Sequence, residues 1–279
     1  MIENKYDVAI IGAGIGGLVC GGYLAKAGLK VLIVEQHSQV GGYCTAFRRK
    51  GYVFDVGAHS FGSLRPGGIF FKILEELDVA KEIKFITNEL IDRIITPDYT
   101  VHFGNNIENT REELKKCFVR EAANIDLFFN FILETEFFTL VAKTRNISFA
   151  DFLDSFFADD KLKAILSIPL VNIGLPSSEA SALISLILYR EFIFDGGYYP
   201  QGGTQILPNV LAARFRALGG KIVLSDEVTK IQTRNNRVQG IVTRKHGEIA
   251  ARYVVSNADA TLTFAQLLDC VTPESRTIQ

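Results

Sequence analysis

Tryptophan is absent from the 279 residues, and cysteine is scarce: Cys20, Cys44, Cys117 and Cys270 are spread with no CxxC pair among them. That spacing suits neither a disulfide framework nor a zinc site, and it fits a reducing compartment. Cys44 alone falls near the motifs that carry chemistry, and a reactive role for it is weighed against plain packing. An excess of charge is lacking too. The formal net charge is −1, with no basic run suited to nucleic acid, which argues against a polyanion-binding role. Long apolar runs are also missing, because charged residues break every such stretch before the roughly 18 residues that spanning a bilayer requires. Asn4, Lys5 and Asp7 interrupt any apolar run ahead of Val8, so no signal peptide is expected. The expected compartment is the cytoplasm, with the periphery of a membrane left open.

What is present is apolar bulk. Hydrophobic residues make up 48% of the chain, enough for a sizeable core in one large or two moderate domains. Twenty-one phenylalanines point to a large apolar interior or an apolar ligand.

The stretch from Tyr6 to Gly42 organises the rest. Val8 to Ile11 read as a buried strand that runs directly into Gly12-Ala13-Gly14-Ile15-Gly16-Gly17, a GxGxxG spacing. Gly12 permits the tight turn, Gly14 lets backbone approach a pyrophosphate, and Gly17 lets the following helix pack close against the strand. The helix runs from Ile15 to Ala27 and stops at Gly28. Its N-terminal N–H groups and partial positive charge favour a phosphate. Lys30 to Val34 form a second strand that ends in Glu35, eighteen residues beyond Gly17, where a carboxylate accepts bonds from a ribose hydroxyl and repels a 2′-phosphate. A lone GxGxxG is weak, but here strand, helix, second strand and acid all surround it. Gly41 and Gly42 lie outside the NAD fingerprint and let the chain pass close to a second part of a longer cofactor.

The runs GAGIGGL, VGG at 40 to 42 and FDVGAHSFG at 54 to 62, with Glu35, resemble the FAD-binding opening of the phytoene desaturase, carotenoid isomerase and retinol saturase group within the flavin amine oxidase-like superfamily. The resemblance implies tightly held FAD, with the glycine pair beside the diphosphate and the 54 to 59 strand near the isoalloxazine ring. Amine oxidases carry Arg after the glycine pair; here Tyr43-Cys44 follows, as in the isomerase and saturase branch. YYPQGGTQILPNVLAARFRALGGK at 198 to 221 and VVSNAD at 254 to 259 extend the resemblance to about Leu268. It implies backbone contacts from Val228 to the adenine and places Ala258 near the nucleotide half. The residues expected at the cofactor are Gly12, Gly14, Ile15, Gly16, Gly17, Glu35, Gln36, Gly41, Gly42, Gly57, Ala58, His59, Val228 and Ala258. His59 is weighed as a cofactor or substrate contact against an ordinary loop histidine.

Along the remainder, a helix is expected from Gly68 to Leu77 and a hairpin around Thr96-Pro97-Asp98. Thr110 to Glu113 read as a capping box opening a helix to Phe118, and Ala122 to Lys143 as one long helix. Ser148 to Phe157 and Asp159 to Ser167 are short helices, and Pro176 starts another through Tyr189. Thr204 is a plausible cap for the helix that follows. Strands at 221–224, 228–234, 237–243 and 249–256 form a closing meander, with Asn235-Asn236 as one turn. The Phe-rich helices either wall a lipophilic tunnel, with one face on a membrane, or simply build their own core.

The expected fold class is α/β: a doubly wound FAD-binding domain from residues 1–87 and 198–279, with an inserted α+β substrate domain at 88–197. The expected function is an FAD-dependent oxidoreductase or isomerase of a long lipophilic polyene, with no sharp catalytic residue to name. A flavin amine oxidase on a small amine and a non-catalytic FAD-binding protein are the alternatives. Members of the group are longer, and nothing after Asp259 resembles their final glycine-rich segment. The expectation is weak FAD binding with an exposed ring.

Overall fold

The structure, a computed structural model, describes residues 5–235 and 237–268. Asn236, Cys270 and the end of the expected second FAD-binding segment lie outside these. In chain order the elements are β1 (Lys5–Ile11), α1 (Ile15–Lys26), β2 (Val31–Val34), β3 (Ala46–Arg49), β4 (Tyr52–Asp55), α2 (Ile69–Glu76), β5 (Phe85–Thr87), β6 (Leu90–Ile95), β7 (Thr100–Gly104) and α3 (Ile107–Cys117). Then come α4 (Ala122–Glu134), α5 (Phe137–Thr144), α6 (Phe149–Asp154), α7 (Asp160–Ser167), α8 (Ala182–Leu188), β8 (Tyr198–Pro200) and α9 (Ile206–Ala217). β9 (Lys221–Val223), β10 (Val228–Arg234), β11 (Arg237–Thr243), β12 (Gly247–Ser256) and a short α10 (Ala260–Leu262) follow. Of the described residues, one compact unit takes those up to His59, Lys72–Phe85 and those from Pro200 on; the other takes Ser60–Phe71 and Ile86–Tyr199. The segment 60–71, expected with the first domain, belongs to the second unit. Phe61 and Tyr198 exchange backbone bonds of 2.8 and 2.9 Å, and the Arg65 guanidinium bridges Glu191 and Asp195 at 3.1 Å each.

The first unit is built on a six-stranded sheet in the order β10-β11-β12-β1-β2-β9. β12, β1, β2 and β9 are parallel, and β10 to β12 are the antiparallel meander at one edge. Val31 to Val34 are all buried, the unbroken apolar run of a strand covered on both faces. β3 and β4 pair as a hairpin the sequence did not announce. Its two-residue turn, Lys50-Gly51, has φ of +48° and +84°, the primed geometry that hairpins favour, but Lys-Gly is not among the usual signals for it. Thr204 is not a helix cap. The cap position of α9 is Gln205, and the Thr204 hydroxyl donates to Asp55 Oδ1 at 2.8 Å.

In the second unit the hairpin β6–β7 forms as expected, with Thr96 Oγ1 accepting the Tyr99 N–H at 2.9 Å. The capping box does not. Asn106 starts α3 one turn earlier by accepting from Glu108 and Asn109 N–H, while Thr110 is buried and accepts from Gly104 N–H at 3.2 Å. The stretch 122–143 is two helices, because Thr135 and Glu136 turn extended, with ψ of 124° and 147°. Helical spacing persists across the break because Ile132 and Leu140 enter one core from either side of it. Pro176 opens only a turn; α8 begins at Ala182 and runs into a π-helical turn at Tyr189–Ile193. At the centre Phe128 meets Phe129, Phe152, Phe156, Phe157 and Tyr189 at ring separations of 5.4 to 6.2 Å. These buried rings form a core of the second unit's own, while Phe137 and Phe138 at the start of α5 stay 54% and 83% exposed. Among the described residues no helix is long and apolar enough to cross a membrane.

Candidate cofactor site

The site begins where β1 becomes α1. A Cβ placed on Gly17 would lie 2.2 Å from the Gly12 carbonyl oxygen, so this crossing exists only because position 17 has no side chain. Gly14 occupies the N-cap of α1 without a side-chain cap bond. The first-turn N–H groups of a helix have no intrahelical acceptor, and with the helix dipole they make an anion site. The second glycine pair comes alongside. Gly41 N–H donates to Ala13 O at 2.8 Å, and a Cβ on Gly42, where φ is +58°, would come 3.3 Å from Gly14 Cα.

Glu35 ties the first glycine loop to the segment that follows β2. Its carboxylate is buried, with Oε2 accepting from Ala13 N–H at 2.8 Å and Oε1 from His37 N–H at 2.9 Å. An ionised carboxylate offers about four acceptor sites, so two such bonds leave capacity for ribose hydroxyls.

A cavity of about 890 Å3 runs along these groups. Of the residues singled out in the sequence, Gly12, Gly14, Ile15, Gly16, Glu35, Gln36, Gly41, Gly42, Val228 and Ala258 line it. Gly17 lies in the strand–helix crossing instead. Gly57, Ala58 and His59 are off the lining: Ala58 N–H donates to Tyr43 O at 3.1 Å, Gly57 packs on Tyr43, and His59 is exposed. Sequence reasoning missed Tyr43, which lines the cavity, and Asn257, whose amide lies 2.6 Å from a Cβ built on Gly16 and 2.8 Å from one on Gly14. Asn257 sits inside the quoted VVSNAD run, one position before the residue chosen from it. Cys44 is buried, and burial first and Asp55 second push its thiol pKa up, which disfavours a reactive thiolate.

Asp226 is tied to the end of β2 at Glu35. Its N–H donates to Glu35 O at 3.1 Å, Oδ1 accepts from Lys245 N–H at 2.8 Å, and Oδ2 meets His246 Nδ1 at 2.7 Å. Burial raises the carboxyl, but the hydrogen bonds from His246, Thr243 and Lys245 outweigh it and hold the pKa below the ordinary 3.8. A depressed carboxyl pKa contributes stability that is present above the unfolded value and lost as pH falls through the folded one. Asp226→Asn should therefore cost about 1 to 3 kcal/mol at neutral pH. In thermal unfolding, the gap between variant and parent should close as pH drops below 3.8; a gap that persists in acid would assign the loss to shape rather than charge.

Glycine loop, helix terminus, buried acid and second glycine pair on a largely parallel sheet define a Rossmann-like dinucleotide-binding protein. The family follows from its sequence: the chain belongs to the flavin containing amine oxidoreductases, matched over residues 15–263, and its cofactor is FAD. It is 29% identical over 311 aligned positions to the inactive all-trans-retinol 13,14-reductase of Danio rerio, covering 98% of this chain and 50% of that one. It is 27% identical to prolycopene isomerase 2, chloroplastic, of an Oncidium hybrid cultivar, covering 95% and 50%. Among solved structures, an oxidoreductase from Methanosarcina mazei shares the fold with a TM-score of 0.74 and 24% identity, over 94% of this chain and 61% of that one. The chain thus spans about half the length of the curated relatives it matches.

Proposed function

We propose that this chain holds FAD in the cavity beside the two glycine stretches and serves an oxidoreductase or isomerase acting on a long lipophilic polyene. The observation that carries the reading is the union of both glycine stretches in one cavity with Glu35, an arrangement suited to a cofactor with a diphosphate and a further half beyond it. When bound, the flavin supplies hydride acceptance and donation. The chain's own residues bind and orient. The α1 terminus and the Gly14 and Gly42 backbone receive the diphosphate, Glu35 receives a ribose, and Val228 lines the adenine end. Tyr43 and Val56 form the wall farther along. The relatives support a polyene, since one is named for retinol and another for prolycopene. A small-amine substrate is disfavoured by Tyr43-Cys44, where amine oxidases carry Arg after the glycine pair. A non-catalytic FAD-binding role is the second reading, favoured by the relative named inactive. The proposed placement is cytoplasmic, in contact with a membrane surface from which such a substrate would be drawn.

Glu35→Ala should weaken FAD binding by about 1.5 to 3 kcal/mol, roughly 10 to 150-fold, through loss of charge-assisted hydrogen bonds. Titration of the apoprotein with FAD reads this directly, and unchanged affinity would put the ribose elsewhere. The function itself is tested by loading the 279-residue chain with FAD and incubating it with retinoid and carotenoid polyenes under reducing and oxidising conditions. FAD-dependent conversion supports the enzyme. Bound FAD with no conversion supports the second reading, and failure to bind FAD removes both.

A further inference from the structure

The hairpin β3–β4 is dressed unlike the rest of the first unit. From Phe47 to Phe54 every residue is exposed. Cross-strand pairing puts Phe47 opposite Phe54 and Arg49 opposite Tyr52, so all four share one face. Phe47 and Phe54 stack at 5.2 Å, and Tyr52 lies 6.5 Å from Phe54 at 70% exposure. Arg48, Arg49 and Lys50 crowd the tip, and no acidic residue occurs between Glu35 and Asp55.

An isolated two-stranded hairpin is marginal in water, and among the described residues the hydrogen bonds that fasten this one lie at its base. Ala46 N–H donates to Gln205 Oε1 at 3.0 Å, Val56 N–H to Thr45 O at 3.0 Å, and Asp55 Oδ1 accepts the Thr204 hydroxyl. The anchoring holds the strands in place while leaving three aromatic rings and three cations facing outward. Tyrosine settles at the level of lipid headgroups, where one end is apolar and the other wet, and phenylalanine supplies apolar area that enters the headgroup–acyl boundary. Clustered Lys and Arg beside them favour an anionic headgroup layer.

We propose that the tip and the aromatic face of this hairpin dock the protein on an anionic phospholipid bilayer. The inference deepens the proposed polyene reading by naming where the chain meets the membrane that dissolves its substrate, and it is measured without turnover, so either can fail alone.

The test is cosedimentation of the 279-residue chain with phosphatidylcholine vesicles, with and without phosphatidylserine, at low and high salt. The parent chain should prefer the anionic vesicles, and salt should erase the preference. Arg48→Gln/Arg49→Gln/Lys50→Asn should lower anionic partitioning on the order of 100-fold, about fivefold for each cation. Phe47→Ser/Phe54→Ser should weaken binding to both vesicle types. Lys50→Asn alone, in a turn position that Asn tolerates, should cost about fivefold and guards against misfolding of the multiple variants. Equal partitioning of the parent and the triple variant overturns the proposal. So does a parent dimer, seen by light scattering, that Phe47→Ser dissolves without any vesicle binding.

Discussion

Gly17→Ala is expected to destabilise the protein by about 3 kcal/mol or more, at the upper end of what overpacking costs. The added methyl would sit 2.2 Å from the Gly12 carbonyl oxygen, a backbone atom, and its own position is fixed by the backbone. No rotamer relieves such a contact. Relief requires α1 to move away from β1, yet β1 is the strand paired on both sides in the middle of the sheet. Cofactor should be lost as a secondary consequence, in proportion to unfolding. Chemical denaturation of the apoprotein is the measurement, because it reads the fold without the ligand. A Gly17→Ala apoprotein as stable as its parent would falsify the geometry of the crossing.

Gly14→Val should do the reverse, keeping the fold and losing the flavin. Gly14 has φ of −66° and ψ of 172°, a conformation open to valine. The nearest atom to a Cβ there is the Asn257 amide nitrogen at 2.8 Å, the end of a side chain that can swing aside. What cannot be accommodated is a branched side chain where the diphosphate must approach backbone. FAD affinity should fall at least about 100-fold, some 2.7 kcal/mol, while the denaturation midpoint of the apoprotein stays close to the parent's. A folded Gly14→Val protein that keeps its full yellow absorbance would place the diphosphate elsewhere. The two substitutions separate the two jobs that one glycine motif performs.

What the sequence disclosed and what it hid divide along physical lines. β1, α1, β2 and the buried Glu35 were legible because an unbroken apolar run, a glycine spacing and an acid at a fixed distance each have a local cause. The meander β10 to β12 was legible from alternation and turns. The hairpin β3–β4 was not, since its turn uses Lys50 where Asn is the usual signal, and its strands lack a buried face to set an alternating pattern. The capping box at Thr110 misled because Asn106, an equally good cap, stands one turn upstream, and Thr110 and Glu113 are both spent on the β7 backbone, through Gly104 and His102. The break at Thr135 left no trace in the periodicity, because both helices feed one core. Asn257 was hidden by distance: 240 residues separate it from Gly17 in the chain, and only the parallel pairing of β12 with β1 sets it above the glycines.

That same pairing shapes how the chain must come into being. Tyr6 waits for Ala251, and at about 5 to 20 residues per second a ribosome needs on the order of 12 to 50 s to deliver the partner. The second unit's stretch from 86 to 199 emerges and can bury its phenylalanines long before then. The apolar strands at the N-terminus meanwhile lack the neighbour that covers one edge. Newly made protein is thus most vulnerable to aggregation during that interval, and a chaperone that shields residues 6–11 would act before the sheet closes.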